Sequence, residues 1–156
     1  MHSKDHNAEI NLRPATIRDL QNIIDLDARV SGFEKEDYWR GRFSRLGSAK
    51  TSHIIVAEAT GSNNPVSVLG FIVGEVRAWE FGSRPCGWIF AIGVSPDYRV
   101  QGIGEKLFME ICKSFKADGA NSVRTMIARS DQLNMSFFRA QGMMGGPFIE
   151  LEKSLH

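Results

Sequence analysis

The sequence has 156 residues and a mass of 17.4 kDa. Its hydrophobic fraction of 42% and charged fraction of 24% are those of one globular domain and exclude wholesale disorder. The formal net charge is +1, and the sequence lacks the Lys/Arg stripe that is typical of nucleic-acid partners. The longest mainly apolar run, Trp88 to Val94, is far shorter than the ~20 residues that span a bilayer, so we expect no membrane partner.

The polar residues 1–9 predict a flexible N-terminal tail, followed by one domain over residues 10–156. The two cysteines, Cys86 and Cys112, lie outside any C-x-x-C pattern, and the four histidines form no cluster. We therefore predict no metal site, no disulfide framework and a cytoplasmic location. Cys112 lies on an apolar helical stripe and is expected in the core, whereas Cys86 could be exposed.

The first elements in chain order are a short strand and two helices. Residues 10–13 alternate apolar and polar, which predicts the strand. Thr16 and Asp19 form a T-x-x-D capping signal, and apolar residues then recur at helical spacing up to Val30. A second helix is predicted within residues 31–46, after a mobile joint at Gly32.

Strands dominate the middle of the chain. Apolar residues predict strands over His53 to Ala59, Val66 to Val76 and Trp88 to Val94. The Gly61–Pro65 segment has turn composition, and Phe81 to Pro85 breaks the chain again. Consecutive strands joined by short turns favour antiparallel neighbours.

The second half alternates helices and strands. We predict a helix over Gly102 to Lys116, a strand over Ser122 to Ala128, a helix over Asp131 to Gln141 and a last strand over Phe148 to Leu151. The fold class is therefore α/β of the α+β kind, with a mixed, mostly antiparallel sheet flanked by helices.

One segment, residues 92–104, has the composition of an anion-binding turn. A buried strand ends there, and two glycines spaced by one residue open the amphipathic helix. The first turn of a helix presents backbone N–H groups without partners, so a phosphate could bind there; a flexible turn with no ligand fits the same residues. Neither the P-loop nor the dinucleotide-binding pattern matches, because Gly-Lys-Ser/Thr is absent and the third glycine position holds Leu107.

The stretch from Val94 to Gly104, VSPDYRVQGIG, resembles the coenzyme A loop of the GNAT superfamily of N-acetyltransferases, V-x-P-x-Y-R-x-x-G-I-G. The stretch from Asn134 to Met143 is similar to the last helix of that family, and the resemblance covers residues 10–151. It implies an enzyme that moves the acetyl group of acetyl-CoA directly to a primary amine in a ternary complex. It also implies a sheet that is splayed at its central strands, where the pantetheine arm enters.

The resemblance implies site residues as well. Gly93 suits a bulge with close backbone approach, and an amide near Ile92 or Gly93 could polarise the thioester carbonyl. The residues implied for coenzyme binding are Ile92, Gly93, Val94, Arg99, Val100, Gln101, Gly102, Ile103, Gly104 and Asn134. Asp131, where the family often has an asparagine that contacts the coenzyme, is better explained as a helix N-cap.

For the acceptor side, we predict Glu75 as the general base, with a solvated strand-end glutamate paired to Arg77 as the alternative. Further candidates for the base are Glu80 and the cluster of Glu34, Glu36 and Asp37. Phe33, Glu34 and Tyr38 are predicted to line the acceptor pocket, although each could be an ordinary core or surface residue. Phe138 stands where many family members have a proton-donating tyrosine. This departure favours a second interpretation, a non-catalytic acyl-CoA sensor or scaffold. The acceptor stays open among peptide and small-molecule amines, and a homodimer is possible.

Overall fold

A computed structural model describes residues 9–60 and 67–156, and within them a five-stranded sheet forms the centre of the fold. The strands lie side by side in chain order, β1 to β5. They are β1 Glu9–Pro14, β2 Ser52–Thr60, β3 Ser67–Arg77, β4 Cys86–Val94 and β5 Val123–Thr125.

The sheet is mixed, as predicted. Strands β1 to β4 pair antiparallel, and β5 pairs parallel to β4. Two register shifts interrupt the ladder, one between Ala57 and Glu58 of β2 and one between Val73 and Gly74 of β3. The second shift changes which residues of β4 face the neighbouring strand, and it therefore bears directly on the candidate site.

Two helices, α1 Leu20–Ser31 and α2 Glu36–Arg45, pack with one face of the sheet. The core on this side combines α1 residues such as Ile23 with Trp39 and with alternate residues of β2 and β3. Trp39 is completely buried, meets the Phe71 ring edge-on at 5.0 Å, and donates Nε1–H to Asp27 Oδ2 at 2.8 Å. This hydrogen bond ties α2 to α1 and satisfies a polar group inside the core.

The third helix, α3 Ile103–Ala117, contacts β2, β3 and β4. Its buried stripe is Ile103, Leu107, Phe108, Ile111 and Phe115, as the apolar spacing predicts. Glycines let the helix approach closely: a Cβ at Gly87 would lie 2.0 Å from Phe115 Cδ2, and a Cβ at Gly74 would lie 2.7 Å from Phe115 Cζ. The Phe115 ring thus occupies space that side chains on β3 and β4 would otherwise fill.

The structure confirms most predicted elements and corrects three. The first predicted helix begins as a 3-10 turn, Ile17–Asp19, in which Asp19 Oδ2 accepts the Thr16 N–H at 2.7 Å as the capping signal requires.

The strand predicted over Ser122 to Ala128 is limited to β5, and Glu9, predicted in the tail, is the first residue of β1. The predicted strand Phe148 to Leu151 is wrong: these residues lie outside the sheet with Ile149 and Leu151 more than 80% exposed. Residues 1–8 and the predicted turn 61–65 lie outside the described residues, as does Val66.

By contact density the chain divides into two compact units, Met1–Thr125 and Met126–His156. The second unit contains α4 Gln132–Ala140, which begins at an Asp131 N-cap, as predicted. The Asp131 carboxylate accepts the Asn134 backbone N–H at 3.1 Å and Asn134 Nδ2–H at 2.8 Å. Within the described ranges, no helix is both long and apolar enough to cross a membrane.

Candidate active site

A β-bulge in β4 sets the geometry of the candidate site. Val73 of β3 faces Ala91, but the next residue, Gly74, faces Ile89, so Phe90 is the extra residue on β4. The backbone N–H and C=O groups of successive strand residues point to alternate sides, and one extra residue reverses that alternation. The bulge therefore decides which amides of β4 point away from β3.

Hydrogen bonds at both ends of β4 show this reversal. Before the bulge, Gly87 N–H donates to Ser122 O at 2.8 Å, and Ile89 O accepts Thr125 Oγ1–H at 2.9 Å, so both groups point towards β5. After the bulge, Ser95 N–H donates to Leu69 O at 2.7 Å, on the β3 side. Counting back from Ser95, the N–H and C=O groups of Ile92 and Val94 point away from β3.

The outward side of β4 is open beyond the bulge. Strand β5 pairs only with Gly87, Trp88 and Ile89, and in the part of the chain described here no other strand pairs with residues 90–94 on that side. At about 3.3 Å per residue, five residues of open edge extend over about 16 Å. An extended ligand can therefore lie along β4 and bind the outward groups of Ile92 and Val94, as an added strand would.

The open edge leads into a turn and then into the N-terminus of α3. A 3-10 turn, Pro96–Gln101, follows β4, and Gly102 then adopts a left-handed φ of 71° as the residue before α3. The first backbone bond of the helix is from Lys106 N–H to Gly102 O, at 3.1 Å. The amides of residues 103–105 precede that bond, and none of the described side chains caps this end of α3. These are the donors, with the positive end of the helix dipole, that bind phosphate groups.

Gly102 is the open position in this turn. A Cβ built there meets nothing within 4 Å, so space is available directly beside the first helical amides. Arg99 is exposed in the preceding turn, whereas Ile103 is completely buried and anchors the helix against the sheet. The side chains of Val100 and Gln101 lie outside the described part of the chain.

Gly93 and Asn134, both predicted to bind the coenzyme, contact other residues of the protein. The bulge predicted at Gly93 is wrong, because Gly93 pairs in regular register with Phe71 and the bulge lies at Phe90. A Cβ at Gly93 would lie 2.6 Å from Phe71 Cε1, so the absence of a side chain there accommodates the aromatic ring. Asn134 lies in the second unit, with its amide nitrogen engaged by Asp131.

The predicted base, Glu75, lies within a group of arginines. Its carboxylate is 13% exposed and lies 3.3 Å from Arg42 Nη1, 3.6 Å from Arg45 Nη1 and 3.7 Å from Arg77 Nε. We call Arg42, Arg45 and Arg77 the arginine cluster. The predicted pairing of Glu75 with Arg77 is present, but a carboxylate that contacts three guanidinium groups has fewer lone pairs left for a substrate proton.

The arginine cluster lies against the bulge. Arg42 Cζ lies 4.2 Å from the Phe90 ring centroid, and Arg77 Cζ lies 5.7 Å from the same centroid. Arg42 also lies over the Tyr38 ring, at 5.6 Å. Burial raises the pKa of the Tyr38 hydroxyl, and the Arg42 charge offsets part of that rise, so Tyr38 is a neutral O–H donor at physiological pH.

The other predicted pocket residues are not part of this contact network. Phe33 and Glu34 lie in the connection between α1 and α2, where Phe33 is 71% exposed. Phe138, at the position of the family tyrosine, is buried in α4 and meets Phe137 edge-on at 5.2 Å. Two of the predicted acceptor residues, Tyr38 and Glu75, both contact Arg42 and therefore lie near each other.

The cysteines do not offer a nucleophile at this site. Cys86, expected as possibly exposed, is 1% exposed because it begins β4 inside the sheet. Burial raises the pKa of the Cys112 thiol to about 11, so it is protonated at neutral pH. In the described segments, no group of three or more His, Cys, Asp or Glu residues could hold a metal ion.

Sequence reasoning missed three residues of this site, Arg42, Arg45 and Phe90. The (i, i+3) spacing of Arg42 and Arg45 in α2 could have indicated that both lie on one helical face. No local signal places that face against β3 and β4, because the contacts join residues at least 30 positions apart. Phe90 is an ordinary apolar residue in the sequence, and only the strand register makes it the bulged one.

Comparison with known protein families agrees with this architecture. Residues 17–143 match the profile described as "Acetyltransferase (GNAT) family". Because the match covers most of the chain, the protein belongs to the GNAT family and is an acyltransferase. A search of curated proteins found no match.

Solved structures show the same fold at low sequence identity. One is the aminoglycoside N-acetyltransferase AAC(6')-Iy in complex with CoA, with a TM-score of 0.80 and 15% identity, covering 97% of this chain and 99% of that one. A second is the aminoglycoside 6'-N-acetyltransferase AAC(6')-Ih from Acinetobacter baumannii, with a TM-score of 0.75, 15% identity and coverage of 95% and 100%. A third is a transcriptional regulator from Bacillus halodurans, with a TM-score of 0.74, 18% identity and coverage of 94% and 100%.

Proposed function

We propose that this protein transfers the acetyl group of acetyl-CoA directly to a primary amine while both substrates are bound. The observation that carries the proposal is one continuous series of backbone groups, from the open edge of β4 to the first turn of α3. Acetyl-CoA carries its thioester on a long amide-containing arm that leads to a diphosphate. The strand edge can bind the amides of the arm, and the N-terminal amides of α3 can bind the diphosphate. Similar structures support this interpretation, since one is a complex with CoA and another a complex with the bisubstrate analogue CoA-S-monomethyl-acetylneamine.

The main chain supplies the coenzyme site in this proposal. The outward groups of Ile92 and Val94 bind the pantetheine arm, and the amides from Gly102 onwards bind the diphosphate, with Arg99 adding charge-assisted hydrogen bonds. An outward amide near the bulge donates to the thioester oxygen as that oxygen gains negative charge. Residues with roles that the resemblance alone implies, Val100, Gln101 and Asn134, complete the proposed coenzyme contacts.

The acceptor side lies where Phe90 and the arginine cluster meet. Tyr38 contributes a protonated hydroxyl there, and Phe33 and Glu34 form the proposed outer rim. Glu75 is the candidate base. Because its carboxylate contacts three arginines, the alternative is that Glu75 holds those arginines in position. The thiol of coenzyme A has an ordinary pKa of about 8.5, so its departure as a thiolate needs no tyrosine at position 138.

A Glu75→Gln variant separates the two roles of Glu75. Loss of a base lowers kcat and removes the acidic limb of the pH profile, while the KM for the amine changes little. Loss of a positioning group mainly raises the KM for the amine and leaves the pH profile unchanged. Arg77→Lys, which retains the charge beside Glu75, serves as the comparison.

A second candidate function is binding of acyl-CoA without turnover, favoured by the phenylalanine at position 138 and by the arginines around Glu75. Thiol release from acetyl-CoA with a broad panel of amines distinguishes the two candidates. The enzyme releases thiol only with an acceptor and gives intersecting initial-velocity lines, as a ternary complex requires. Calorimetric binding of CoA with no release on any amine would instead identify a binding module, and parallel lines would refute direct transfer.

A further inference from the structure

We infer that the acceptor of this enzyme carries a carboxylate next to its reactive amine, and that Arg77 binds this carboxylate. The inference rests on the proposed function, because it assigns the chemistry of the same acceptor site. It starts from the charge balance beside the bulge, where three guanidinium groups surround the single carboxylate of Glu75.

The arginine cluster carries more positive charge than its carboxylates compensate. Glu75 contacts all three arginines, and among the described residues the only further carboxylate in their ion-pair contacts is the exposed Glu80, 3.8 Å from Arg77 Nε. Three positive charges therefore face two negative ones, of which one is 61% exposed to solvent. Screening by water weakens the exposed pair most.

Arg77 has the donors that a ligand needs. Its Nε lies 3.7 Å from Glu75 and 3.8 Å from Glu80, and both distances exceed the length of a hydrogen bond. The side chain is 43% exposed, whereas Arg42 is 17% exposed and already donates a hydrogen bond to Glu75. A guanidinium group with unused donors and partial exposure fits a carboxylate in two-point geometry.

Arg77 also has a suitable position. Its guanidinium group lies 5.7 Å from the Phe90 ring, so the carboxylate of a small acceptor bound there stays within a few bonds of the bulge. The open edge, on which we place the thioester, begins at that same residue. A compact amino acid or short peptide end can therefore bridge the two.

The same charges act on the reacting amine. A positive environment disfavours the ammonium form, which lowers the pKa of the bound amine and increases the fraction that can attack. It also disfavours acceptors with several ammonium groups, since like charges repel in a partly buried site. A carboxylate on the acceptor offsets this repulsion, which explains how an amine can bind beside three arginines.

Matched acceptors test the inference on the full chain with acetyl-CoA. Each set consists of an α-amino acid, its amide and the corresponding decarboxylated amine, for instance phenylalanine, phenylalaninamide and phenethylamine, and neamine is added as a polycationic acceptor. The amide has the more acidic ammonium group, so at neutral pH it offers more free amine than the acid. A preference for the acid is therefore not explained by amine basicity.

We expect kcat/KM for the acid to exceed that for the amide by about 10- to 100-fold, the effect of one or two charge-assisted hydrogen bonds. Arg77→Gln lowers kcat/KM for the acid about 10- to 100-fold more than it lowers kcat/KM for the amide, and the difference appears in KM. Arg45→Gln, at a more exposed cluster residue, has a smaller effect in the same direction. Arg18→Gln removes an exposed arginine in the 3-10 turn before α1 and is the control for net charge, without effect on either acceptor.

Each other outcome overturns a definite statement. If the amide, the decarboxylated amine or neamine is acetylated as well as the acid, the carboxylate inference is wrong and the proposed transfer to an amine stands. If Arg77→Gln lowers activity equally on acid and amide, Arg77 does not read the carboxylate. If the chain binds CoA but acetylates no member of the panel, the proposed function itself fails, together with the inference that rests on it.

Discussion

The placement of the diphosphate can be tested at Gly102, where charge and shape are separable. Gly102→Glu puts a carboxylate beside the first amides of α3, and Gly102→Gln puts an uncharged side chain of nearly the same shape there. A Cβ at this position meets nothing within 4 Å, so both side chains begin in open space. Both have the same backbone strain of about 1–2 kcal/mol, because the φ of 71° is in the left-handed region.

The magnitude follows from Coulomb's law. At a separation of about 5 Å, two unit negative charges repel by about 0.8 kcal/mol in bulk water and by about 3 kcal/mol at an effective dielectric constant of 20. The Glu variant should therefore bind CoA about 4- to 150-fold more weakly than the Gln variant. The ratio should shrink as salt is added, because the site is at the surface.

Isothermal titration calorimetry with CoA measures this ratio, and thermal unfolding checks that both variants fold equally well. Gly119→Glu is the matched control, since Gly119 follows the opposite end of α3 and also has a left-handed φ of 94° and open space around its Cβ position. It should lose stability as the Gly102 variants do and bind CoA normally. Equal CoA affinities of the Glu and Gln variants would refute the placement of the diphosphate at this helix terminus.

Three further substitutions test the packing and the electrostatics. Gly87→Ala should destabilise the protein by about 1–3 kcal/mol in denaturant unfolding, because its Cβ would overlap the Phe115 ring; unchanged stability would contradict that contact. Gly41→Ala, in the interior of α2 with open space around it, should stabilise the protein by about 0.5–1 kcal/mol in the same assay, and a loss would show that α2 is strained there. Arg13 lowers the pKa of Asp19, so this ion pair stabilises the fold above pH 4 or so and is lost as the pH falls below that range. Asp19→Asn should therefore reduce stability at neutral pH and make little difference in strong acid, whereas an equal loss at both pH values would exclude the ion pair as the cause.

The elements that the sequence predicts well are those with strong local patterns. Helix α3 follows directly from its apolar stripe, and α1 ends at Gly32 in a left-handed conformation, where the joint is predicted. The predicted strand at 148–151 fails because apolar residues in a short run indicate a preference for extended backbone, but a strand also needs a neighbour. The described sheet has five strands and none of them pairs with this segment.

The candidate site was predictable only where it follows the chain. The segment proposed to bind the coenzyme is continuous, so a motif can indicate it, and the turn, the left-handed Gly102 and the start of α3 lie where the pattern predicts. The bulge at Phe90 depends on the pairing of two strands, and the arginine cluster depends on how α2 packs against β3. Both arise from tertiary contacts between distant residues, on which local patterns give no information.

In the described sheet, residues 90–94 of β4 have no neighbouring strand on one side, and this edge should affect how the protein behaves without substrate. Bare strand edges recruit other chains, so a preparation stripped of coenzyme should associate and precipitate more readily on warming. A coenzyme molecule bound along this edge would pair with β4 as an added strand does. Its binding would raise the melting temperature roughly in proportion to the logarithm of its concentration. Storage with CoA, the product of the proposed acetyl transfer, would then preserve the protein, because CoA would cover the unpaired edge of β4.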